Sequence, residues 1–240
     1  MLGIFKKKVF APKKVFQFDD QKPIEEFTFV SVDTELTGLN ERTDSIISIG
    51  AIKMVGSRIE LGNTFYTLVK PRSNSKMDGK SVLIHTITPT EVSHEKEVQT
   101  VLSDFLNFCG QEVLIGHCLA IDLAFLNREL KKNLGFTLSN PVLDTFTLYS
   151  WLWSQWSSES EFSLHPQQVD LYEIAKAFGI PFSGAHHAVM DAFITAQIFQ
   201  HFLPWLKRSG INNLKNLLRV GNPYKGGENR LGFPAEINNL

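Results

Sequence analysis

The sequence predicts an α/β domain built on a mixed sheet. Three observations carry this: a β-rich opening run, a hairpin directly after it, and helical periodicities that then alternate with short apolar runs. Phe27 to Asp33 alternates and is rich in strand formers. Ser45 to Val55 and Ile59 to Val69 flank Gly56-Ser57-Arg58, which reads as an antiparallel hairpin. Leu102, Phe105, Leu106 and Cys109 recur at helical spacing, and Val113 to Ile115 is a short apolar run ending in Gly116. A further helical pattern covers Ile121 to Leu130, followed by a short strand at Val142-Leu143. Leu171, Ile174, Ala175 and Phe178 mark a helix stopped by Gly179 and Pro181, and a long final helix runs from about Ala188 to Leu203. The folded domain is expected over 27–206, between a basic arm (1–26) and a Gly/Asn-rich tail (207–240) with little regular structure. Trp151 to Trp156 reads as a helix end running into a polar loop, offering either buried packing or a contact surface.

With 43% hydrophobic and 20% charged residues in 240, a globular chain is expected rather than a disordered one. No run approaches the length of a membrane span, and no apolar region follows Lys6-Lys7-Lys8, so the expectation is a cytoplasmic protein without membrane contact. Two cysteines, Cys109 and Cys118, exclude a disulfide framework and a Cys-rich zinc site. The net charge of -1 hides a division: +5 over 1–18, +4 over 207–240, and -10 in the body between them. An acidic body is unlike a duplex-DNA reader and suits cation binding, while basic ends suit polyanions or a larger partner.

Asp33 and Glu35 are two apart at the end of the first strand, so alternation puts both carboxylates on one face. Taken alone, such a pair is more often a solvated strand end. Their setting is Val32-Asp33-Thr34-Glu35-Leu36-Thr37-Gly38-Leu39, followed downstream by Gly116-His117-Cys118-Leu119-Ala120-Ile121-Asp122 with Phe125-Leu126 and Glu129. Last comes His186-His187-Ala188-Val189-Met190-Asp191-Ala192. In order and separation these resemble the three motifs of the DEDD exonucleases: D-x-E-T-T-G-L, G-H-N-A-x-x-D with F-L after it, and H-x-A-x-x-D-A. Leu36, Cys118 and Leu119 depart from the pattern. Ile84-His85-Thr86-Ile87-Thr88, similar to I-H-G-I-T, and Leu143-Asp144-Thr145 add weaker agreement. The likeness covers about 27–205 and is to the histidine (DEDDh, DnaQ-like) subgroup, which includes proofreading subunits of bacterial replicative polymerases, ribonuclease T and oligoribonuclease.

The resemblance implies a ribonuclease H-like fold, a mixed five-stranded sheet flanked by helices. It implies a metal-dependent 3′-5′ exonuclease that releases nucleoside 5′-monophosphates from single-stranded or frayed DNA ends, in proofreading or repair. Asp33, Glu35, Asp122 and Asp191 would hold two divalent cations, and hard oxygen donors favour Mg²⁺ or Mn²⁺. Family spacing makes His186 the proton acceptor, although His187 is the one that shares a helix face with Asp191. Leu36, Thr37, Gly38 and His85 would lie at the terminal nucleotide; Gly38 reads equally as a turn residue and His85 as a satisfied surface histidine. His117 would support the strand end, Asp144 would be structural, and Phe125 would pack in the core or stack on a base. Gln168-Val-Asp-Leu-Tyr172 is similar to a sliding-clamp peptide but falls in a helix pattern the core needs. The partners implied are a nucleic-acid 3′ end, DNA before RNA, and a DNA polymerase or other replication or repair protein. RNA trimming and an inactive binding or scaffolding module are the alternatives.

Overall fold

The computed structural model describes residues 19–224, apart from 74, 76, 78 and 185 and the side chains of 79–80; the arm over 1–18 and the end of the tail lie outside the described residues. Strand β1 (Thr28–Leu36) runs through the middle of the sheet and is buried on both faces. It pairs antiparallel with β2 (Ile46–Val55), which turns through Gly56-Ser57 into β3 (Arg58–Leu68). Gly56 adopts φ +55°, a conformation a two-residue hairpin turn needs and glycine supplies without steric cost. After the short helices α1 (Gly79–His85) and α2 (Pro89–Val92) and the amphipathic α3 (Val98–Cys109), β4 (Val113–Gly116) adds parallel to β1. Helix α4 (Ala120–Leu134) crosses over to β5 (Val142–Asp144), giving the five-stranded order β3-β2-β1-β4-β5. The expected mixed five-stranded sheet is therefore present.

Alternation along β1 divides the core. Phe29, with Ile52 and Met54, packs on α5 (Thr145–Trp156), α6 (Leu171–Ala177) and α7 (Ala188–Arg208). Val30 and Val32, with Ile49 and Ala51, face α3 and α4. Helix α5 ends at Trp156 as read from the sequence; its three tryptophans pack against the first core, and Trp156 Nε1 donates to Ser209 Oγ at 2.9 Å.

Two expectations need correction. Helix α7 does not end at Leu203 but continues through Pro204 to Arg208, because Phe202 and Leu206 on its final turns are fully buried. The tail is not without regular structure: α8 (Leu214–Gly221) buries Leu214, Leu217 and Val220, and Asn213 caps it by accepting from Asn216 N at 2.9 Å. The packed body thus extends through Gly221 rather than stopping near 206. The Gly/Asn-rich flanks masked the three-residue spacing of those apolar side chains. Among the described residues no helix is long and apolar enough to cross a membrane.

Candidate active site

The alternation that divides the core also builds the site. Asp33 and Glu35 continue the face of β1 that looks toward α7, and Asp191 lies in the first turn of that helix. Ligand oxygens of Asp33, Glu35 and Asp191 all fall within 4.8 Å of one another. Helix α7 comes this close only because β2 carries a glycine opposite Asp33: a Cβ on Gly50 would lie 2.2 Å from Ala188 C and Val189 N. Strand glycine at a close backbone approach is the one signal by which the sequence marks this contact.

Thr34 points to the other face, where α4 begins. Asp122 Oδ1 accepts from Thr34 N at 2.9 Å and Thr34 Oγ1 at 2.6 Å, so Asp122 borders the three converging carboxylates without joining them. Burial withdraws all four acids from water and raises them, and neighbouring acids raise Asp33 and Glu35 further. Burial, then Asp191 and Asp122, push Glu35 up to about 8. Burial pushes Asp122 up to about 7 against the opposing bonds from Thr34. Asp33 is raised by burial and by Asp122, Glu35 and Asp191, and Asp191 mainly by burial. Asp191 Oδ1 is buried with no hydrogen-bond partner. Converging hard oxygen donors, mutual repulsion and an orphaned carboxylate oxygen fit a divalent cation.

His186 lies in the loop before α7, exposed, with φ +60°. Its backbone N–H donates to Tyr172 Oη at 2.8 Å, and the same hydroxyl donates to Asp191 Oδ2 at 2.9 Å. His187 is the N-cap residue of α7, its ring stacked on Tyr66 at 4.5 Å. The two histidines thus separate: His186 reaches the carboxylates through Tyr172, and His187 packs against β3.

His85 is not a surface residue. It is 3% exposed, its Nδ1 accepts from Ile87 N at 3.0 Å, and its Nε2 is buried without a partner. Burial and then the neighbouring His186 lower its pKa. Leu36 is half-buried against the second core. Thr37 Oγ1 is engaged within the loop, meeting Ser75 Oγ at 2.8 Å and accepting from Ser45 N at 3.0 Å. Gly38 sits where a Cβ would be 2.6 Å from Asp44 Oδ2, so its lack of a side chain serves the loop. Arg72 and Arg128 pin that loop by donating to the carbonyls of Asp44 and Glu41, and the buried Glu129 carboxylate accepts from Arg128 Nη2 at 2.7 Å. Phe125 is fully buried, in the core. His117 Nδ1 meets Thr145 Oγ1 at 2.9 Å, and Asp144 caps α5 and accepts from Leu119 N at 2.7 Å, so both brace the strand ends. The clamp-like peptide is inside the fold, with Val169 and Leu171 buried.

Sequence reasoning missed Thr34, Gly50 and Tyr172. Thr34 hides between two acids, and Tyr172 comes into view only within the discounted peptide.

Comparison with known proteins accords with this geometry. The exonuclease family profile RNase T matches residues 30–199. The chain is 30% identical over 202 residues to the DNA polymerase III subunit epsilon of Aquifex aeolicus, covering 80% of this chain and 89% of that protein. It is 30% identical over 201 residues to the PolC-type DNA polymerase III of Thermotoga maritima, covering 84% of this chain but only 14% of that much longer protein. In fold it is similar to E. coli exonuclease I, solved in complex with a dT13 oligonucleotide, at a TM-score of 0.62 and 18% identity over 77% of this chain and 42% of that one. The chain belongs to the RNase T exonuclease family, together with the epsilon subunits of DNA polymerase III.

Proposed function

We propose that this chain is a divalent-metal-dependent 3′-5′ exonuclease acting on single-stranded or frayed DNA ends, releasing nucleoside 5′-monophosphates in proofreading or repair. The observation that carries the reading is the convergence of Asp33, Glu35 and Asp191 within 4.8 Å beside Asp122, with His186 tethered to the same cluster. Asp33, Glu35, Asp122 and Asp191 would hold two cations, Mg²⁺ or Mn²⁺, which when bound activate water and neutralise charge at the departing 3′ oxygen. His186, exposed at the mouth, accepts the proton of the attacking water. His85 Nε2 is buried without a partner and would carry the proton that a phosphate or sugar oxygen of the substrate could satisfy. Leu36 and the backbone of Thr37 and Gly38, fixed by the loop bonds, shape the floor for the terminal nucleotide.

DNA and a polymerase partner are favoured because the relatives are named as a PolC-type DNA polymerase III and a DNA polymerase III subunit epsilon, and the exonuclease I complex holds a dT13 oligonucleotide. The test is product analysis on matched single-stranded DNA and RNA oligonucleotides with Mg²⁺ or Mn²⁺. Nucleoside 5′-monophosphates, formed faster from DNA, are expected. Faster release from RNA would favour the trimming reading, and no release from either would overturn the activity in favour of a binding module.

A further inference from the structure

The two oxygens of Asp191 have different fates. Oδ1 is buried without a partner, whereas Oδ2 accepts the Tyr172 hydroxyl proton at 2.9 Å. A phenol has one proton to give and lone pairs to offer, and this one uses both. Its oxygen accepts the His186 N–H at 2.8 Å, and His186 Nδ1 lies 3.4 Å away. His186 needs an outside hold, because it adopts φ +60° on an exposed loop, a conformation that side-chain-bearing residues rarely keep unaided. Tyr172 is well placed to supply it. It stands in the first turn of α6, where Asp170 Oδ1 caps Tyr172 N and Glu173 N at 2.9 and 2.8 Å and Leu171, Ile174 and Ala175 are buried. Its ring is flanked by Phe182 at 5.3 Å and, edge-on, by His186 at 5.2 Å.

We propose that Tyr172 is a positioning residue for catalysis: its single hydroxyl ties the backbone of the His186 loop to the Asp191 carboxylate, so that the proton acceptor and a metal-holding group are ordered together. The inference rests on the exonuclease reading, in which His186 and Asp191 have those roles. Tyr172 itself takes no proton from water, because its own proton is committed to Asp191. With Oδ2 occupied, Oδ1 is the oxygen that Asp191 would offer to a cation.

The test is Tyr172→Phe in the full chain, which removes the oxygen and keeps the ring. Without metal, amide hydrogen exchange over 183–187 should accelerate while exchange in α6 stays as in the parent. Mn²⁺ titration calorimetry should show about tenfold weaker binding, the order of loss seen when a ligand's outer partner is removed. On a single-stranded oligonucleotide, kcat should fall about tenfold to a hundredfold with KM held within about twofold. In a His186→Ala background the same change should cost much less, since partners in one unit are not additive. Unchanged exchange at 183–187 with parental Mn²⁺ affinity would overturn the tether. A loss carried in KM or in Tm would reduce Tyr172 to general packing. If the parent digests no nucleic acid, the exonuclease reading fails, and the exchange and Mn²⁺ comparisons still decide the tether.

Discussion

Thr34 holds Asp122 by one oxygen: the backbone N–H at 2.9 Å and the hydroxyl at 2.6 Å both donate to Oδ1. The residue between the two strand acids thus orients the fourth carboxylate from the opposite face of the sheet. Thr34→Val keeps the shape and the N–H but loses the hydroxyl. Exonuclease kcat is expected to fall about tenfold, as for other partners of ligand carboxylates. Thr34→Ser should stay near the parent, and steady-state kinetics on one oligonucleotide compares the three.

Gly50 sets the distance between sheet and α7. Ala at this position places a Cβ 2.2 Å from backbone that cannot yield without moving the first turn of the helix, and Asp191 with it. The expected cost is about 1–3 kcal/mol by thermal unfolding, together with most of the activity. Gly62→Ala, with nothing within 4 Å of the new Cβ, is the matched strand control and should lose neither.

Two departures from the family pattern fall on left-handed backbone. Thr86, where the pattern has Gly, adopts φ +59°, and Cys118, where it has Asn, adopts φ +53°. A β-branched residue is poorly suited there, and glycine and asparagine are the residues that accept it. Thr86→Gly and Cys118→Asn should therefore each raise stability, by about 1 kcal/mol. A fall in Tm for both would contradict the assignment of strain.

The acidic cluster ties stability to pH. Glu35 moves from an ordinary 4.5 to about 8 on folding, so between these values the folded chain binds more protons than the unfolded one. Metal-free stability should then fall as pH rises from about 4.5 to about 8, and Mg²⁺ or Mn²⁺ should restore it most at the upper end. Asp33→Asn removes one of the repelling charges. It should raise the metal-free Tm at pH 8 while abolishing activity, and thermal melts across pH with and without metal test both statements.

Much of the site was legible because its acids sit in short motifs: Asp33 and Glu35 on one strand face, Asp122 at a helix start, Asp191 a fixed distance after His186. The sheet was legible because alternation in β1 and the turn at Gly56 are local. What escaped depends on distant chain meeting in space. Tyr172 matters through residues 14 and 19 positions away, and no local pattern states that its hydroxyl points at them. Thr34 reads as an unremarkable strand residue until α4 arrives 88 positions later. Helix α8 was overlooked because its flanking Gly and Asn residues outweighed three well-spaced apolar positions. His85 stayed open between surface and site until its burial was seen.

The most direct test is degradation of a 5′-labelled single-stranded DNA oligonucleotide with Mg²⁺, Mn²⁺ or EDTA, beside an Asp33→Ala/Asp191→Ala variant. A metal-dependent ladder shortening from the 3′ end is expected, absent with EDTA and with the variant. An intact oligonucleotide with either metal, or a ladder undiminished in the variant, would contradict the exonuclease reading.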